Sequence, residues 1–145
     1  MSNESWVLER TLGGKAKEFY WRIDDEGNIY IKRKFKNMKK PLEDEISVEQ
    51  LNKLDEYLSD GEWKSLANNV AKLRRKEEKN GIGRFIYENF GMNETRAQLS
   101  SHLGAIFSNS GAWLYNGKKM NMEFKRNTYN WVKVVKDYYY RKKTD

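Results

Sequence analysis

The chain has 145 residues, a formal charge of +7, no cysteine and a single histidine. Disulfides, thiolate metal sites and cysteine nucleophiles are thereby excluded, and His102 alone cannot build a histidine-rich zinc site. With 38% hydrophobic and 14% aromatic residues, the composition is that of a globular chain able to bury a core.

The charge is unevenly spread. Residues 43–62 hold eight acids (Glu43, Asp44, Glu45, Glu49, Asp55, Glu56, Asp60, Glu62) against one base, Lys53, so that segment carries −7 and the remainder +14. A basic body with one acidic element implies a polyanionic partner met from one side. The polar stretch 1–10 lacks the apolar run of a secretory signal, and no stretch approaches the length needed to span a bilayer. A cytoplasmic protein with no membrane contact is expected.

Residues 5–37 read as a small antiparallel sheet. Phe19, Trp21 and Ile23 alternate with Tyr20 and Arg22, and Ile29, Ile31 and Phe35 share one parity against Tyr30, Lys32, Lys34 and Lys36. Asp25-Glu26-Gly27-Asn28 suits a hairpin turn, and Trp6 to Leu12 adds a third strand closed by Gly13-Gly14. Pro41, the sole proline, follows the basic run Lys32 to Lys40 and marks a boundary. It separates a sheet unit, 1–40, from a helical unit, 41–145, the two packing as one compact body.

Ser47 is expected to cap a helix over 47–59, with Val48, Leu51, Leu54 and Leu58 on one face. Ser59-Asp60-Gly61-Glu62 has the form of a capping box and predicts a second helix, carrying Trp63, Leu66, Val70 and Leu73, that ends near Asn80-Gly81. A short helix over 83–90 follows, broken by Gly91. Asn93 or Thr95 then caps a helix over 94–107. Asn116-Gly117 between strand-like runs predicts a hairpin over 112–126, and Trp131, Val134, Val135 and Tyr138 define a last helix over 128–142.

The order from Ser59 to Arg126 (helix, short helix, tight turn, helix, hairpin) resembles a winged helix-turn-helix. The fold class expected is therefore α+β: an N-terminal antiparallel sheet, a winged helix-turn-helix and a C-terminal helix. The resemblance implies a DNA-binding regulator whose helix 94–107 enters a major groove while the wing 112–126 touches phosphates. It also implies a homodimer reading two half-sites of double-stranded DNA.

On a helical wheel Leu103, Ile106 and Phe107 fall on the side of Leu99. Ala97, Ser101, Gly104 and Ser108 fall opposite, flanked by Gln98, Ser100 and Ala105. Small groups permit close approach to base edges. Gln98, Ser100, Ser101 and Asn109 supply short polar groups, and Arg96 reaches a phosphate or a guanine. Such a stripe equally suits contact with another helix. In the wing, Tyr115, Lys118, Lys119, Lys125 and Arg126 are the phosphate-binding candidates. The polar face of the sheet, with Lys32, Lys34 and Lys36 interleaved with Tyr20 and Tyr30, is a second candidate surface for a backbone or for stacked bases.

No catalytic, metal or cofactor residue is expected. Asp24-Asp25-Glu26 stands at a turn tip and Glu43-Asp44-Glu45 in a connecting segment, neither with the form of a cation-binding loop. Gly81-Ile82-Gly83 is no phosphate loop, and His102 has no partner at a motif spacing. The alternative to nucleic-acid binding is a small interaction module that docks on another protein through aromatic anchors.

Overall fold

A computed structural model describes residues 5–34 and 39–144. Phe35 and Lys36 lie outside the described residues. The fold is mixed α+β, with a four-stranded antiparallel sheet followed by helices and a smaller second sheet.

Sheet A is a meander of β1 (Val7–Arg10), β2 (Glu18–Ile23), β3 (Ile29–Arg33) and β4 (Leu42–Ile46). Alternation turns Val7, Phe19, Trp21, Ile23, Ile29, Ile31 and Ile46 into the core, while Leu8, Tyr20 and Lys32 stand on the other face. In the β2–β3 turn, Asp24 Oδ1 accepts from the backbone N–H of Glu26 (3.0 Å) and of Asn28 (2.9 Å). The acidic segment Glu43-Asp44-Glu45 is not a linker. It is the edge strand β4, with Glu43 opposite Lys32 and Glu45 opposite Tyr30, so the sheet extends past Pro41.

Helix α1 (Val48–Tyr57) starts at Ser47, whose hydroxyl accepts from Gln50 N–H while the Gln50 side chain accepts from Ser47 N–H. The helix expected after Ser59 does not form. Trp63 is 42% exposed, and the chain enters a two-residue strand, β5 (Lys64–Ser65). Leu66 N–H donates to Met122 O (3.0 Å), Leu66 O accepts from Gly83 N–H (2.7 Å), and Ala67 has a φ of 49°. Pairing with distant strands wins over the helical spacing of Trp63, Leu66, Val70 and Leu73. Only α2 (Val70–Arg74) is helical there, capped by Asn69.

Helix α3 (Ile82–Asn89) is followed by the turn at Gly91, whose φ of 110° favours glycine. Asn93 then caps a four-residue α4 (Glu94–Ala97), which passes at Gln98 into α5 (Leu99–Ser110). Strands β6 (Trp113–Tyr115) and β7 (Glu123–Arg126) form the hairpin, and sheet B runs β5-β7-β6. The hairpin end is a loop over 116–122, wider than a two-residue turn, with Asn116 N–H donating to Glu123 O (3.1 Å) and Met120 81% exposed. Helix α6 (Trp131–Thr144) closes the structure.

The core centres on α5, which lies between the two sheets and α6. Phe19 of β2 meets His102 edge-on at 4.7 Å, Phe107 lies 4.6 Å from Trp113 of β6, and it lies 5.5 Å from Trp131 of α6. Among the described residues, no helix is long and apolar enough to cross a membrane.

Candidate nucleic-acid interface

From α3 onward the order of short helix, turn, helix and hairpin is as expected, although β5 and the short α2 replace the helix expected after Ser59, and most of the stripe meant for a DNA groove is buried. Ala97, Ser100 and Ala105 are fully buried, and Ser100 Oγ donates to Ala97 O across the junction of α4 and α5. Gly104 is buried as well: a β-carbon there would stand 2.9 Å from Cζ of Phe124 on β7. The small residues serve a close helix–sheet contact, because the same lack of bulk that admits a base edge admits an aromatic ring.

The remaining helix candidates divide. Arg96 donates to Glu45 O (3.1 Å) and Gln50 Oε1 (3.2 Å), tying α4 to sheet A and α1. Asn109 is exposed, yet its Nδ2 donates to the buried carboxylate of Glu9 (2.9 Å). Gln98 and Ser101 are half-buried at the beginning of α5, and Ser101 Oγ accepts from Asn68 Nδ2 (3.0 Å).

In the wing, Lys118 and Lys119 are exposed at the loop. Tyr115 stacks on Phe124 and donates its hydroxyl to Lys118 O. Lys125 lies 4.9 Å over the Trp63 ring. Arg126 is held by Asp55 Oδ2 (2.9 Å) and Thr128 O (3.1 Å), which fastens the hairpin to α1.

A separate concavity lies beside sheet A. An open groove of about 1390 Å³ runs between the β1–β2 hairpin, the end of β3 and the start of α5. Among the described residues its walls carry Arg10, Lys15, Lys17, Lys32, Arg33 and Lys34 and one carboxylate, Glu18, which pairs with Arg10. Its floor is Asn68, Gln98, Ser101 and His102. Burial, and then the positive charge of Arg33, pull the His102 imidazole down from 6.5 to about 4, so the floor is polar and uncharged at neutral pH. Arg33, 5% exposed, donates to Asp44 Oδ2 (3.3 Å) and to Thr95 O (3.1 Å), and its role is to hold β3 against α4. Lys15, Lys17 and Lys34 are exposed.

The groove thus gathers Gln98, Ser101, Lys32 and Lys34, which the sequence had assigned to two separate surfaces. It does not gather the wing cations. Arg10, Lys15, Lys17, Asn68 and His102 were missed as lining residues. The signal available for two of them was Lys15-Ala16-Lys17, a pair of cations beside the Gly13-Gly14 turn. Among the described residues no group of three or more His, Asp or Glu side chains is placed to hold a metal ion. The chain matches no known protein family, no curated protein and no solved structure.

Proposed function

We propose that the chain binds nucleic acid by seating the phosphate backbone in the groove between the β1–β2 hairpin and the start of α5. The observation that carries this reading is the lining: among the described residues Lys15, Lys17, Lys32 and Lys34 stand around an uncharged floor, while Arg10 pairs with Glu18 and Arg33 is buried against Asp44. Cations along a concave wall neutralise successive phosphates, which supplies most non-specific affinity. The floor groups Gln98, Ser101 and Asn68 offer short donors and acceptors to sugar or base edges. This reading takes the place of a recognition helix over 94–107, whose middle is buried.

Titrating the protein into a labelled random-sequence oligonucleotide by fluorescence anisotropy, at rising salt, tests the proposal. Binding that weakens steeply with salt is expected. The triple variant Lys15→Glu/Lys17→Glu/Lys34→Glu should bind at least about tenfold more weakly, with a salt slope flatter by about two to three. Lys118→Glu/Lys119→Glu should bind nearly as the wild type. A larger loss from the wing variant would move the interface to the hairpin, and absence of binding at low salt would reject nucleic acid altogether.

A second reading, docking on another protein, is favoured by the outer face of sheet B. Trp63 (42% exposed) and Leu114 (41%) flank Lys125 there, and Met120 projects beyond them.

A further inference from the structure

We infer that the nucleic acid is single-stranded, and that its bases leave the groove to stack on the solvent face of sheet A. This rests on the groove reading above and adds to it the kind of strand bound.

The register of the sheet sets the path. Tyr20 lies opposite Leu8 on one side and Lys32 on the other, and in the next row Arg22 lies opposite Tyr30. Tyr20 and Lys32 also line the groove, so groove and face are continuous through these two side chains. Tyr20 is 44% exposed and offers a ring to solvent beside a cation.

Cations and rings alternate across this face. The Arg22 guanidinium lies 3.8 Å from the Tyr30 ring centre and 5.3 Å from that of Trp6. The Lys32 ammonium lies 4.2 Å from Trp6 and 5.8 Å from Tyr20. These contacts hold the rings in place while keeping positive charge within reach of a phosphate. The far edge is negative: Glu43 is exposed opposite Lys32, and Glu45 is exposed opposite Tyr30. A polyanion is repelled from β4 and confined to the strip over β1, β2 and β3.

An aromatic platform flanked by cations is useful only to a strand whose base faces are free. In a duplex each face is already stacked on its neighbour, so Tyr20 has nothing to bind, whereas unpaired bases stack on any ring with little regard to sequence. The charge complementarity of the strip and the exposed ring on it therefore favour the single strand.

The test compares a labelled oligothymidylate of about 12 nucleotides with a duplex of similar length, by anisotropy at several salt concentrations. The single strand should bind about tenfold tighter or more. Tyr20→Ala should lose about tenfold on the single strand and little on the duplex, and Tyr20→Phe should retain the wild-type preference. Circular dichroism and the thermal midpoint check that Tyr20→Ala is folded. Duplex binding as tight as single-strand binding, with Tyr20→Ala indifferent, overturns this inference and leaves the groove reading standing. Failure of both oligonucleotides to bind at low salt overturns the two together.

Discussion

The ring of Phe124 covers Gly104 so closely that a β-carbon on the helix would stand 2.9 Å from Cζ. Both residues are buried, Phe124 at 1% exposure, so neither has free volume to retreat into. Gly104→Val is expected to cost about 3 kcal/mol through overpacking, against less than about 1 kcal/mol regained in helix propensity. Urea unfolding gives the number. Adding Phe124→Leu to Gly104→Val should recover part of it. An additive double variant would mean that the two side chains do not compete for the same space.

Arg33, Asp44 and Arg96 form the joint between sheet A and α4. Asp44 Oδ2 accepts from Arg33, and Asp44 Oδ1 lies 4.0 Å from Arg96. Asp44→Ala removes the carboxylate that accepts from the buried Arg33 and should cost about 3 kcal/mol. Arg33→Met removes the buried charge itself and should cost less. The order of the two thermal midpoints decides the matter, and a less stable Arg33→Met would show that the guanidinium is retained for its hydrogen bonds.

His102 makes stability depend on pH. Its folded value, about 4, lies below the 6.5 of an unfolded histidine, so on acidification the unfolded chain takes up the proton first. The contribution is complete above pH 6.5 and is lost as pH falls through the interval down to about 4. At pH 5 the loss should be about 2 kcal/mol relative to pH 7. Urea midpoints for wild type and His102→Gln over this range test it. Parallel curves for the two proteins would assign the acid sensitivity to other groups.

Glu9 is a carboxylate with 6% exposure and a full set of donors. Its oxygens accept from Trp21 Nε1 (3.1 Å), Asn109 Nδ2 (2.9 Å) and the Tyr138 hydroxyl (2.9 Å), and Lys142 Nζ lies 3.7 Å away. Burial and the Glu9 charge push the Tyr138 phenol well above its ordinary range. Glu9→Leu removes the acceptor from Trp21 Nε1 and the Tyr138 hydroxyl and should cost about 3 kcal/mol, whereas Tyr138→Phe should cost about 1 kcal/mol. Amide exchange in α6 should quicken in Glu9→Leu before exchange in β3 does. Uniform acceleration across both would place the damage in the whole core.

Much of sheet A was legible because its cause is local. Phe19, Trp21 and Ile23 must share a face, and the Ser47 hydroxyl can cap α1 by accepting from Gln50 N–H, three residues on. Strand β5 was not legible, since the spacing of Trp63, Leu66, Val70 and Leu73 is helical and what contradicts it is pairing with distant residues, Lys64 with Phe124, Ser65 with Glu123 and Leu66 with Met122. The α5 stripe was readable as small and polar, but nothing in Gly104 itself tells a DNA groove from a phenylalanine ring. Lys32 and Lys34 were found as cations, while their meeting with Gln98 and Ser101 depends on how sheet A lies over α5, a relation across more than sixty residues.

The bond between Glu9 and Tyr138 spans 129 positions, and Tyr139 reaches back in the same way to Ser5 O (2.5 Å). The inner face of Trp21, stacked against Tyr138, therefore cannot be covered when sheet A first emerges from a ribosome. Closing so long a loop comes late and slows folding. Until α6 arrives, the nascent sheet shows a wide apolar surface to the cell, and that interval, more than the finished protein, is where aggregation or chaperone capture will be decided.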